Sequence, residues 1–286
     1  MCEIFWNEGN GNARAFGKRW QLVQARCKAK GAQNYATDPT IYSRQSKNLP
    51  VDLLTQRAWS QHLKAANAGN VEAQFVVGYY YANSAVDRRG RTVVTADRAA
   101  AQVWLTLAAD AGDASAQAAL SNFLSDGPTE LRDYPHAIAW ANRAIEQGET
   151  SSAHNLACIY RDMRKLQLAA RWYAKAVEMG NVDSLLALGL CHLFGCGLPR
   201  DRAASVSCLD RLAADDMNSS TQSSNECARY WLAVVSLMFD DPSAAQRNNA
   251  RRLLEGANVD DDHEQASELL CVIGFDGVTD AVNTSS

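Results

Sequence analysis

The chain has few of the residues that break regular structure. Six prolines and 17 glycines among 286 residues are too sparse for a collagen-like or low-complexity chain. No window reaches about 18 consecutive apolar residues, so no membrane-spanning helix is expected. The opening Met1-Cys2-Glu3-Ile4-Phe5-Trp6 has no basic run followed by an apolar stretch, so a secretory leader is not expected either. The five histidines, at 62, 136, 154, 192 and 263, form no His-x3-His or His-Glu-x2-His pair, the spacings that place two ligands on one helical face. Neither charge dominates: 28 Lys/Arg stand against 32 Asp/Glu. A net charge of -4 gives no global pull toward nucleic acid or a membrane surface.

The chain does have enough apolar residues, 47%, to build a folded core. Eight cysteines, at 2, 27, 158, 191, 196, 208, 227 and 271, share no fixed interval. They read as reduced structural thiols in a cytoplasmic protein, not as a disulfide framework. Charge is unevenly spread. Residues 1–50 hold eight Lys/Arg against Glu3, Glu8 and Asp38, whereas residues 201–286 hold 15 Asp/Glu against six Arg. The acidic end, including Asp260, Asp261 and Asp262, is a candidate surface for a basic partner.

An internal repeat organises the chain. The pattern Ala-x2-Trp-x3-Ala-x3-Gly occurs as Ala101, Trp104, Ala108, Gly112, as Ala137, Trp140, Ala144, Gly148, and as Ala169, Trp172, Ala176, Gly180. Ser205, Cys208, Leu212, Asp216 form a degenerate copy. Weaker copies flank these, at Ala58, Gln61, Ala65, Gly69 and at Ala245, Asn248, Arg252, Gly256. Spacings of three and four put the small residues and the Trp on one helical stripe. The glycine just past the stripe suits a left-handed helix C-cap.

A second helix follows each glycine. Ala73, Ala116, Ala153 and Ser184 sit in phase near its start, and Gly78, Ser121, Cys158 and Gly189 lie five residues on. Those small residues mark a tight crossing of the two helices. Asn70, Asp113 and Asn181 stand where an N-cap or a turn is wanted. Each unit is a helical hairpin that cannot bury both faces alone, so the units must stack.

Gly69-x3-Ala73-Gln74-x2-Val77-Gly78-x2-Tyr81 resembles the Sel1-like repeat, a relative of the tetratricopeptide repeat. So does Ser184-x3-Leu188-Gly189-x2-His192-x2-Gly195-x-Gly197. The likeness spans about residues 58–256, or five units. It implies an all-α, right-handed α-solenoid of about five helical hairpins with N- and C-terminal capping helices. The expected organisation is a helical cap or arm over 1–50, a repeat solenoid over 51–262 and a capping helix with tail over 263–286. Departures include an insertion at Asp87-Arg88-Arg89-Gly90-Arg91-Thr92 and a short third turn, Arg161 to Lys165.

The resemblance also implies a role in protein binding through the first helix of each hairpin. Carried onto this chain, the groove positions are Glu72, Phe75 and Tyr79, then Asn122, Asn155, Asp183, Leu186 and Leu190, and Tyr230. Trp231 could line the same groove. The most specific expectation is an immunity protein that neutralises a secreted bacterial toxin with a basic surface, since stand-alone bacterial members sometimes do this. The alternative is an adaptor or regulator in signalling or complex assembly, and the remote one is an enzyme.

Candidate chemistry is thin. Cys2 follows the initiator, but Glu3 departs from the glycine of N-terminal-nucleophile openings. Cys191, His192 and Cys196 are clustered, yet adjacent helical residues point about 100° apart. Asp260-Asp261-Asp262-His263-Glu264 lacks the alternating ligand spacing of a calcium loop. No catalytic residue, metal, cofactor, nucleic-acid or membrane partner is expected.

Overall fold

The computed structural model describes residues 55–214, 222–237 and 243–257. These fall into two compact units that divide after Asn181. In the first, α1 (Gln56–Asn67) and α2 (Val71–Asn83) lead through β1 (Ala85–Val86) and β2 (Thr92–Val94) to α3 (Arg98–Asp110). Then come α4 (Ala114–Ser125), a single 3-10 turn (Thr129–Leu131), α5 (Tyr134–Glu146), α6 (Thr150–Asp162) and α7 (Leu166–Glu178). The second unit holds α8 (Ser184–Phe194), α9 (Arg202–Ala213), α10 (Gln222–Leu237) and α11 (Ala244–Ala257).

Within each unit, consecutive helices pack against one another in chain order. The closest pairs are α2 with α3, α4 with α5 and α6 with α7, then α8 with α9 and α10 with α11. These are the five expected hairpins. The first helices also reach the next first helix, α2 to α4, α4 to α6 and α8 to α10. The fold is all-α in class and, within each unit, built from the hairpins that the repeat implied.

The stripe explains the packing. Ala101, Ala108, Ala137, Ala144, Ala169 and Ala176 are all buried. Their small side chains let a neighbouring helix approach closely. The repeated Trp residues sit further out: Trp104, Trp140 and Trp172 are half-buried, and the Arg143 guanidinium lies 4.5 Å from the Trp140 ring. The inward position comes one residue later, at Leu105, Ala141, Tyr173 and Leu209, all buried. A fully buried leucine there contributes about 1.5–3 kcal/mol. The crossing is tight at the expected glycine: a Cβ on Gly78 would lie 2.8 Å from both the backbone nitrogen and Cγ of Leu105. At Gly189 the equivalent approach to Leu209 Cγ is 3.2 Å.

Helix starts follow short polar caps. Asn70 and Asp113 accept from the amides of Ala73 and Ala116 at 2.7 Å, as expected. The second helices carry their own caps, Asp97 to Ala100 at 3.0 Å, Asp133 to His136 at 3.2 Å and Asp201 to Ala204 at 2.9 Å. Each leaves one fewer amide unsatisfied, a gain of about 1 kcal/mol.

Asn181 takes the turn alternative: α8 begins at Ser184, after a turn in which the Leu185 amide donates to Val182 O. One expectation is corrected: Gly256 does not end its helix, because α11 continues to Ala257 and buries Ala250, Leu254 and Ala257. That spacing matches Ala101, Leu105 and Ala108, so the last copy is offset from Ala245, Asn248 and Arg252. The insertion folds as an antiparallel pair, with Ala85 and Val94 buried in the first unit's core. Its tip is closed by Asp87, which accepts from the Arg89 and Arg91 amides and pairs with the Arg91 guanidinium at 2.7 Å. The cap or arm over 1–50 and the helix over 263–286 lie outside the described residues.

Candidate protein-binding face

The first helices present two different surfaces. On α2, Glu72 is exposed and Tyr79 half-buried, and on α4, Asn122 is half-buried. Tyr79 and Asn122 hold the same repeat position on helices in contact. Phe75 is buried instead, in the core that also contains Trp59 and Leu105, with its ring centroid 6.2 Å from that of Tyr79. Asn155 is also buried. Side chains this enclosed contribute packing and leave contact area to Glu72, Tyr79 and Asn122.

The second unit offers an apolar patch. Asp183 and Leu186 are half-buried, whereas Leu190 and Tyr230 are buried. Leu186, Phe194, Val206 and Trp231 pack half-buried over Leu190, Leu193 and Val235. The Phe194 and Trp231 rings meet edge to face, centroids 5.5 Å apart. The aromatic of α10 that stays half-buried is thus Trp231, one residue beyond the buried Tyr230. Asp260, Asp261 and Asp262 lie outside the described residues.

One side-chain cluster escaped the sequence reading. Cys158 Sγ lies 3.5 Å from His154 Nε2, one helical turn earlier on α6, and 3.4 Å from Tyr173 Oη on α7. Arg161 donates to the same Tyr173 oxygen at 3.4 Å, and to Asp162 Oδ1 at 3.0 and 2.9 Å. Burial pushes the Cys158 thiol up, but His154, Arg161 and Tyr173 together bring it down to about 6. The legible signal was His154-x3-Cys158, an i,i+4 pair. Its partner Tyr173 is distant in sequence. Cys208 is the contrast: burial raises its thiol. Cys191 and Cys196 are buried thiols, and among the described residues no group of three His, Cys, Asp or Glu side chains could hold a metal ion. No described helix is long and apolar enough to cross a membrane.

Comparison with known proteins agrees with this architecture. The Sel1 repeat family model matches residues 71–113, 114–149, 151–181 and 182–216, about half of the chain. The Sel1-repeat-containing protein YjcO of Escherichia coli (strain K12) is 28% identical over 228 residues, covering 76% of this chain and 85% of the relative. The crystal structure of a Sel1 repeat protein from Oxalobacter formigenes superposes with a TM-score of 0.53 at 22% identity, over 71% of this chain and 76% of that one. The crystal structure of c5321, a protective antigen present in uropathogenic Escherichia coli strains displaying an SLR fold, gives 0.50 at 25% identity. It is covered over 77% of this chain and 52% of that one. Four matched repeats, five hairpins and a shared fold agree: the chain belongs to the Sel1 repeat family, whose members are generally protein-interaction scaffolds.

Proposed function

We propose that this chain is a non-catalytic scaffold that binds a partner protein on the faces of its first helices. The observation that carries the reading is the pair Tyr79 and Asn122, accessible at one repeat position on two helices in contact. Glu72 lies about two turns before Tyr79 on the same helix and is exposed. An aromatic anchor flanked by polar groups suits a protein or peptide ligand. In the second unit, Leu186, Phe194 and Trp231 supply a further apolar contact, with Asp183 just before the helix that carries Leu186.

The finer form of this proposal is an immunity protein that neutralises a cognate toxin with a basic surface in the cytoplasm. Its support is the resemblance to stand-alone bacterial members and the acidic excess over 201–286, which includes Asp260, Asp261 and Asp262. Co-expression with the toxic product of a neighbouring gene tests it. Protection by the wild type, lost when those three aspartates become lysines, supports immunity. Full protection by the lysine variant removes the acidic end from the account, and toxicity unchanged by the wild type removes the immunity form. Several substoichiometric partners would instead favour an adaptor in signalling or assembly.

A further inference from the structure

The third hairpin departs from the rule that builds the first, second and fourth. Its crossing position holds Cys158 where the first, second and fourth hold Gly78, Ser121 and Gly189. The facing position holds Tyr173 where they hold Leu105, Ala141 and Leu209. A helix crossing needs only a small residue opposite an apolar one, and Gly78 with Leu105 shows how closely that pair fits. Cys158 and Tyr173 instead bring a thiol and a hydroxyl together, joined by His154 and Arg161. Tyr173 is almost fully buried, while Cys158, His154 and Arg161 remain half-buried, so the cluster reaches the surface on its α6 side. The same side chains hydrogen-bond a thiolate and lie within reach of its negative charge.

We propose that Cys158 is a modification site, a thiol activated by His154, Arg161 and Tyr173 that hydroperoxides oxidise and a low-molecular-weight thiol then caps. In the first step the thiolate sulfur attacks one peroxide oxygen. The S–O bond forms, the O–O bond breaks, and the departing oxygen takes a proton from the His154 imidazolium. Sulfur loses two electrons to give the sulfenic acid, and the peroxide is reduced to water or an alcohol. In the second step the sulfur of the small thiol attacks the sulfenic sulfur, an S–S bond forms, and hydroxide leaves with the thiol's proton as water. The resulting adduct occupies a crossing that holds glycine in the first and fourth hairpins and serine in the second, so capping reports directly on the packing of α6 against α7.

Among the described residues, the groups that face Cys158 include His154 and Arg161 on α6, the latter held by Asp162, and Tyr173 on α7. The test uses the full reduced chain, equimolar hydrogen peroxide and dimedone, with peptide mapping of every cysteine. Cys158 is expected to carry the dimedone adduct while buried Cys208 carries none, and glutathione in place of dimedone should give the mixed disulfide at Cys158. His154→Gln should slow iodoacetamide labelling of Cys158 about tenfold at pH 6, the net of a smaller thiolate fraction and a more nucleophilic thiolate. Tyr173→Phe keeps the ring and removes the hydroxyl, so it should slow labelling without loss of helicity. If either variant fails to fold, the wild-type pH profile decides: labelling that levels off by about pH 7 supports the proposal. Labelling that climbs to pH 9, a Cys158 that reacts only after denaturation, or an adduct equally frequent at Cys208 overturns it.

Discussion

Arg98 donates to the carbonyl oxygen of Phe123 at 3.1 Å while its guanidinium carbon sits 4.3 Å from the centre of the Phe123 ring. The same nitrogen also reaches the carbonyls of Asp126 and Leu131 at 3.4 and 3.5 Å. One side chain from the start of α3 therefore satisfies backbone acceptors at the end of α4, where a helix leaves its last carbonyls without partners. Arg202 repeats the device in the second unit, donating to Val235 O near the end of α10 at 2.8 Å. Each arginine follows a capping aspartate, Asp97 or Asp201. The dipeptide caps its own helix and clamps the next hairpin.

Arg98→Ala should cost about 1–3 kcal/mol, since it removes charge-assisted hydrogen bonds and a cation–ring contact together. Arg98→Lys should recover only part, because a point charge cannot span three carbonyls and a ring. Urea unfolding of the three proteins measures both. Equal stability of all three would show that the carbonyls are satisfied without the arginine.

The two crossing glycines should differ in cost. A methyl at Gly78 meets a backbone atom of Leu105 at 2.8 Å, which cannot move aside as a side-chain end can. Gly78→Ala should destabilise by about 2–3 kcal/mol. At Gly189 the nearest atoms are side-chain carbons of Leu209 and Cys208 at 3.2–3.4 Å, and Gly189→Ala should cost about 1 kcal/mol or less. Thermal unfolding ranks them, and the reverse order would contradict the packing described for α2 on α3.

Arg164 has φ of +61° at the end of α6, a left-handed conformation that glycine adopts without penalty. Its neighbours close the turn, with the Lys165 amide donating to Tyr160 O at 2.8 Å. Arg164→Gly should therefore stabilise by about 0.5–1 kcal/mol, the strain relieved less the added entropy of the unfolded chain. A lower midpoint in urea would show that the arginine side chain contributes more than its backbone costs.

The Cys158 thiol, brought down from 9.0 to about 6, links stability to pH. The folded state holds the thiolate more readily than the unfolded chain, so it releases its proton at lower pH. Between about pH 6 and pH 9 the unfolded state binds more protons, and stability rises with pH. The contribution is complete above about 9 and is lost as pH falls toward 6. The wild type should gain stability over Cys158→Ser as pH rises through this window. A constant difference would mean that the thiol keeps its proton in the folded chain.

Much of the fold was legible in the sequence because small residues at fixed phase have one physical use, the close approach of helices. Ala101, Ala108 and Gly112, repeated twice more, gave the hairpins and their C-caps directly. The phase failed where the composition changed. In α11 the alanine-leucine spacing of Ala250, Leu254 and Ala257 sets the buried side, and Gly256 lies within the helix. The face was harder to read. Phe75, Asn155, Leu190 and Tyr230 hold groove positions by repeat alignment, but their exposure depends on the neighbouring helices, which alignment does not weigh. The Cys158 cluster needed the crossing partner Tyr173, fifteen residues away and on another helix.

The central claim is that the first-helix face captures a partner protein. The direct measurement is quantitative capture from the native host lysate by three tagged proteins: wild type, Tyr79→Ala/Asn122→Ala, and Val103→Ser/Leu107→Ser. The last pair is exposed on α3, a second helix, and serves as the control surface. The account predicts one partner near equal stoichiometry with the wild type and the α3 variant, reduced at least tenfold with the Tyr79/Asn122 variant. Retention by the Tyr79/Asn122 variant, with loss confined to the α3 variant, would contradict it.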